Sequence, residues 1–235
     1  MLSLKFENFD TKCPKAAQVI NNGNTVDTTL SNECPKPQIT GGPLPHGNKF
    51  VAESFHFHWG SKNIHGSEHI VNNKRHAMEA HIVHRNGKYA TVAEARKHSD
   101  GLAVLGIFYD VDKNSNKALP GLQRIVKTLQ SVENFNFTAK LRDVRLNDLL
   151  GNINTQHFYT YQGSLTTPPC SQAVTWILFP KVLPISNAQM KTFRLLKNAQ
   201  GGALVNNYRF LQPKGKREVY FGATNLTMQV NDNVG

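Results

Sequence analysis

The octet ESFHFHWG, residues 53–60, places two histidines one residue apart inside an aromatic run. A β-strand points alternate side chains to opposite faces. His56 and His58 therefore share a face with Ser54, while Phe55, Phe57 and Trp59 share the other. The aromatic face reads as a sheet packing into a core. The histidine face needs another explanation, because a strand buried for its apolar surface gains nothing from two adjacent imidazoles.

Metal binding supplies that explanation. A zinc ion that does chemistry takes three protein ligands and keeps a fourth position open. His56 and His58 offer two ligands on one face, so the third must come from a neighbouring strand. The run Met78–His84 alternates so that Glu79, His81 and Val83 lie on one face and His84 on the other. His81 is the candidate third ligand, and Glu79 beside it suits the acceptor that a metal-bound imidazole needs on its outer nitrogen. Core histidines satisfied by backbone groups are the alternative. That reading fits one isolated histidine better than H-x-H on one strand followed by E-x-H on another.

Outward from these strands, the 235-residue chain reads as one domain, with no internal repeat and no Pro/Gly/Ser-rich linker. Strand-like runs at Phe50–Trp59, Met78–His84, Gly101–Tyr109, Gln156–Gln162, Ala173–Phe179 and Glu218–Phe221 are punctuated by turns such as Asn86-Gly87 and Pro168-Pro169. Helical signals are fewer: a capped turn from Thr91, the stretch Leu119–Val132, and Ser186–Leu196 with Ser186 as cap. The pattern predicts a sheet-dominated α+β domain. No apolar run reaches the length of a membrane span. The net charge is +11, but the basic residues are scattered, which argues against a nucleic-acid partner and leaves a field attractive to anions.

Three cysteines leave one over if two are bridged. Cys13 and Cys34 lie equally far from the midpoint of a hairpin turning at Asn21-Asn22-Gly23-Asn24, so a symmetric hairpin brings them opposite one another and allows a disulfide. The sequons Asn136-Phe137-Thr138 and Asn225-Leu226-Thr227 point, with the cysteines, to an oxidising, extracellular or secretory setting. The first residues lack a secretory leader, which leaves the cytoplasm open.

The segments FHFHWG (55–60), GSEH (66–69), EAHIVH (79–84), DGLAVLGIF (100–108), YQGSLTTPPC (161–170) and VTWILF (174–179) resemble, in order and spacing, the signatures of the α-class carbonic anhydrases. GGPL (41–44) precedes them in family order and NNYR (206–209) follows. The resemblance implies a large, twisted, mixed and mostly antiparallel sheet with short peripheral helices over residues 1–221, followed by a polar flexible tail, 222–235. It implies Zn²⁺ held by His56, His58 and His81, and hydration of CO₂ to bicarbonate by attack of zinc-bound hydroxide. Thr166 would accept from that hydroxide and donate to Glu68, with Thr167 helping to position bicarbonate. Val83, Val104, Leu165, Val174 and Trp176 match the family's apolar pocket wall, with Asn22 and Asn24 at the pocket. Glu79 matches the acceptor for the third histidine, Asn207 the place of a backbone carbonyl serving a ligand, and His69 a buried structural histidine. Pro168-Pro169 resembles a turn with a cis proline.

The chain departs from the family in three places. Asn24 stands where fast members carry a proton-relaying histidine, which leaves buffer, or a neighbour such as His46, to carry the proton. Ser54 replaces the glutamine that accepts from the first ligand, and its shorter side chain reaches only through water. The family's opening segment, with its aromatic cluster and the cysteine that pairs with the position of Cys170, has no counterpart here. The reading is of a monomeric zinc lyase acting on a small molecule; its rival is a carbonic-anhydrase-like module, catalytically weak, that binds anionic partners.

Overall fold

The computed structural model describes residues 2–112, 117–223 and 226–229. Among these residues twelve strands form one sheet. In chain order they are β1 (Leu2–Glu7), β2 (Ala17–Asn21), β3 (Val26–Thr29), β4 (Gln38–Gly42), β5 (Phe50–Trp59), β6 (Met78–Asn86), β7 (Leu102–Val111), β8 (Thr138–Leu141), β9 (Phe158–Gly163), β10 (Val174–Ile185), β11 (Tyr220–Ala223) and β12 (Leu226–Gln229). Across the sheet they run β12-β11-β9-β10-β7-β6-β5-β3-β2-β8, with β4 pairing both β1 and β5. The β7–β10 pair is parallel and the other pairs are antiparallel. The helices are short: α1 (Val92–Ala95), α2 (Gln123–Leu129), α3 (Asn147–Leu150) and α4 (Asn187–Arg194).

The aromatic half of the opening octet does what its alternation predicts. Phe55, Phe57 and Trp59 are fully buried, and Phe193 of α4 packs edge-on against Phe57 at 5.1 Å between ring centroids. Further up β5 the alternation breaks. Ala52 pairs with His84 but Ser54 pairs with Val83, so Glu53 is an extra residue in a β-bulge. The bulge returns Phe50 and Ala52 to the same core as Phe55 and Phe57, although their positions differ in parity. Glu53 itself turns to charge, with its carboxylate bound by Arg85 Nε at 2.8 Å and by Lys36.

The helix signals hold. Thr91 caps α1 by accepting from Glu94 N, and Ser186 and Gln189 form a reciprocal capping box on α4. The stretch 119–132 is α2 flanked by two 3₁₀ turns, Pro120–Leu122 and Gln130–Val132. The β2–β3 hairpin pairs Asn21 with Val26 and Gln18 with Thr29, the symmetric register that the spacing of Cys13 and Cys34 anticipates. Those cysteines form a disulfide, and Cys170 is free. Gly23 takes φ +83° in the turn, where the side chain of Phe135 also lies against it, so any larger residue is both strained and crowded.

The last strand differs from expectation. The reading placed it at Glu218–Phe221, followed by a polar flexible tail from 222; β11 spans Tyr220–Ala223 and pairs with β12. The rest of that tail, with Asn225 of the second sequon, lies outside the described residues. Among the described residues no helix is long and apolar enough to cross a membrane.

Candidate metal centre

Strand pairing assembles the centre. β5 and β6 set His56 opposite His81 and His58 opposite Glu79. One ring nitrogen from each of His56, His58 and His81 falls within 4.8 Å of the others. His58 and His81 are buried, while the His56 side chain keeps 18% of its surface open to a cavity.

Two of the three rings are fixed from behind. His58 Nδ1 donates to the backbone carbonyl of Asn207 at 2.8 Å, which leaves its Nε2 buried with no hydrogen-bond partner. His81 Nε2 donates to Glu79 Oε1 at 2.7 Å, leaving Nδ1 for the centre. Asn207 is held in turn, its side chain accepting from Trp59 N at 2.7 Å and donating to the carbonyls of Asn24 and Phe57. The third ring is looser: His56 Nδ1 lies 3.8 Å from Asp27 Oδ1, too long for a hydrogen bond.

Glu79 anchors the network. It is fully buried, and besides His81 it accepts from Glu68 N and His69 N, both at 2.9 Å, and from His69 Nδ1 at 2.7 Å. Burial pushes its carboxyl upward, but the pull of His69 and His81 and their hydrogen bonds outweighs that and holds it well below the usual carboxylate range. An ionised carboxylate only accepts, so His69 donates from Nδ1 and its Nε2 accepts from the Tyr161 hydroxyl at 2.7 Å. His69 is thus tied at both nitrogens, as a structural residue.

The electrostatics suit a cation. Burial, then the neighbouring imidazoles, hold His56 well below its ordinary value, and burial also lowers His58. Neutral imidazoles with free lone pairs are the form that ligates a metal. Nearby, Glu68 Oε1 accepts from Arg209 N at 2.7 Å, and its Oε2 is buried without a hydrogen-bond partner, 4.0 Å from His81 Nδ1. Three converging imidazoles, an orphaned ring nitrogen and an open side fit a zinc centre of the catalytic kind.

The open side is a cavity of about 940 Å³. Thr166, Thr167, Asn22, Asn24, Ser54 and Val83 line it, together with Glu68 and Asn207. Thr166 and Glu68 share its wall with no hydrogen bond between them among those described. Of the expected apolar wall, Val83 reaches the cavity. Val104 is its register partner on β7, Trp176 the next across on β10, and Val174 and Leu165 belong to the same apolar cluster. Trp176 instead packs against His81 and His69, 4.7 Å from each ring centroid. Ser54 acts on Asp27: its hydroxyl and that of Thr29 pull down the Asp27 carboxyl that burial raises. His46 is exposed and lies off the cavity lining. The Pro168–Pro169 bond is cis, as the resemblance implies.

Sequence reasoning missed Asp27, Asn198, Gln200 and Tyr208 on the cavity wall. Asp27 stands directly opposite His56 in the β3–β5 register, and burial raises its carboxyl to about 6 against the pull of the Ser54 and Thr29 hydrogen bonds. The others come from loops with no periodic signal.

Comparison with known proteins matches residues 1–223 to the family model of eukaryotic-type carbonic anhydrases. The chain is 34% identical over 212 residues to carbonic anhydrase-related protein of Homo sapiens, covering 86% of this chain and 71% of that one. It is 34% identical over 202 residues to carbonic anhydrase 6 of Mus musculus, covering 85% of this chain and 61% of the relative.

Proposed function

Since the chain belongs to the eukaryotic-type carbonic anhydrase family, we propose that it is a zinc-dependent lyase that interconverts CO₂ and water with bicarbonate and a proton. One observation carries the reading: three imidazoles converge beside a cavity with ring nitrogens within 4.8 Å of one another, one of them with a buried Nε2 that has no hydrogen-bond partner. His56, His58 and His81 would hold the ion. When bound, Zn²⁺ lowers the pKa of water and so supplies a nucleophile near neutral pH.

The chain's own residues do the rest. The Thr166 hydroxyl, which shares the cavity wall with Glu68, would turn to donate to Glu68 Oε2, an atom with no hydrogen-bond partner in this structure. It would then offer only its lone pairs to the attacking water and orient it. Val83 gives CO₂, which has no strong hydrogen-bonding group, an apolar resting place, and Thr167 at the mouth positions bicarbonate. The released proton leaves past Asn24, whose amide does not titrate near neutrality, so buffer carries it. The Cys13–Cys34 disulfide and the exposed Asn136 sequon support an extracellular or secretory setting.

A second reading, a catalytically weak module for anionic partners, draws on the net charge of +11 and on a relative whose name states a relation rather than an activity. Stopped-flow CO₂ hydration, with zinc quantified and a sulfonamide added, separates the two. Stoichiometric zinc with sulfonamide-sensitive hydration supports the lyase. Zinc-free protein, or loaded protein without hydration, favours the binding module.

A further inference from the structure

The outer nitrogens of His58 and His81 meet acceptors at 2.8 and 2.7 Å, whereas among the described residues that of His56 faces Asp27, at 3.8 Å. Ser54 is too short to replace the glutamine acceptor that the resemblance implies at its position, and it is already engaged with Asp27. Asp27 lies directly opposite His56 in an antiparallel pair, the geometry that brings two side chains nearest one another. Its one ion-pair contact among the described residues is His56.

We propose that Asp27 is the positioning residue for His56. With His56 engaged through Nε2, its Nδ1–H donates to the Asp27 carboxylate, while Ser54 and Thr29 hold that carboxylate from its other side. The acceptor has moved from β5 to β3, and Ser54 has become a support for it. A carboxylate in this place fixes the tautomer and plane of the ring and raises its basicity as a ligand. The inference rests on the zinc reading of the site.

Zinc affinity, measured by competition with a chromogenic chelator, tests it without reference to activity. Asp27→Val keeps a strand-compatible side chain but cannot accept, and zinc should bind about 10- to 100-fold more weakly. Asp27→Asn keeps a carbonyl acceptor and should stay within about threefold of the parent, given that it is the acceptor that matters. The double variant Asp27→Val/Ser54→Gln supplies an acceptor from β5 again and should recover the parental affinity. The visible spectrum of the Co²⁺-loaded protein should change in Asp27→Val and return in the double variant. Thermal unfolding of the metal-free proteins shows that each is folded; Asp27→Ala serves if the valine variant is not. Parental affinity in Asp27→Val, or a loss that Ser54→Gln does not repair, overturns the proposal. A parent that takes up no zinc overturns the zinc reading first.

Discussion

β5 and β6 carry four histidines, three on one face and one on the other, and the two faces treat a buried imidazole differently. His84, on the core face, stacks on Phe9 at 6.0 Å, donates from Nδ1 to the Ile82 carbonyl at 3.0 Å, and has a buried Nε2 without a partner. His58, on the cavity face, has the same pattern: Nδ1 on a backbone carbonyl and an orphaned Nε2. An unsatisfied ring nitrogen is therefore not a site in itself. What separates them is company. The His58 nitrogen is one of three that converge within 4.8 Å, with His58 backed by a carbonyl and His81 by a carboxylate, whereas the surroundings of His84 include Phe9. The core face uses imidazole as a flat, neutral filler; the cavity face gathers lone pairs.

The largest test of that contrast is at Glu79, which binds the cavity face together. Glu79→Ala would leave four donors unanswered: His81 Nε2, His69 Nδ1, and the amides of Glu68 and His69. Breaking a buried charge network of this kind costs about 4 kcal/mol, read as a fall in the denaturant midpoint of the metal-free protein. Zinc affinity should fall about 10- to 100-fold as well, because His81 loses the group that orients it. A variant as stable as the parent would mean that the network does not hold this face.

The pH dependence of stability probes the other face and comes next in size. Burial holds His84 down at about 4, from an ordinary 6.5. Below 6.5 the unfolded chain takes up a proton at this residue and the folded chain does not, until about 4. Stability is therefore complete above 6.5 and lost as the pH falls through that window, by about 1.4 kcal/mol per unit and about 3 kcal/mol in all. His56 and His58, also lowered, add losses of the same sign in the metal-free protein. The His84 share is isolated by comparing urea unfolding of the parent with that of His84→Gln at pH 7.5 and 5. The parent should lose about 2 kcal/mol more than the variant over that interval. Equal losses would show that His84 is not held neutral.

Period-two alternation made much of this legible, because side-chain parity survives wherever pairing is regular. It separated Phe55, Phe57 and Trp59 from His56 and His58, and His84 from His81. Hairpin symmetry brought Cys13 and Cys34 together for the same reason. Parity failed at Glu53, where a bulge inserts one residue, since nothing in Glu53-Ser54 distinguishes a bulge from polar alternation. Asp27 was invisible for another cause. A lone carboxylate on β3 acquires meaning only from the residue opposite it, and His56 lies on a strand far along the chain. Loop residues such as Asn198 and Gln200 reach the cavity through tertiary placement, which no local pattern encodes.

The smallest effect concerns how the cavity face communicates with bulk water. Asn22, Asn24, Asn198 and Gln200 line the cavity with amides, and the histidines on its wall are the candidate ligands themselves. Among the described residues the cavity lining offers no imidazole beyond the candidate ligands to carry a proton outward. Under the lyase reading, parental turnover should rise steeply with added imidazole buffer. Asn24→His places a group titrating near neutrality at an exposed rim position. It should raise turnover at low buffer by about tenfold, worth about 1.4 kcal/mol of barrier, and flatten the buffer dependence while leaving KM unchanged. Steady-state hydration rates against buffer concentration, at fixed ionic strength, supply the measurement. If the parent is indifferent to buffer and Asn24→His turns over no faster, proton exit does not limit this face, and the amide rim does not set its rate.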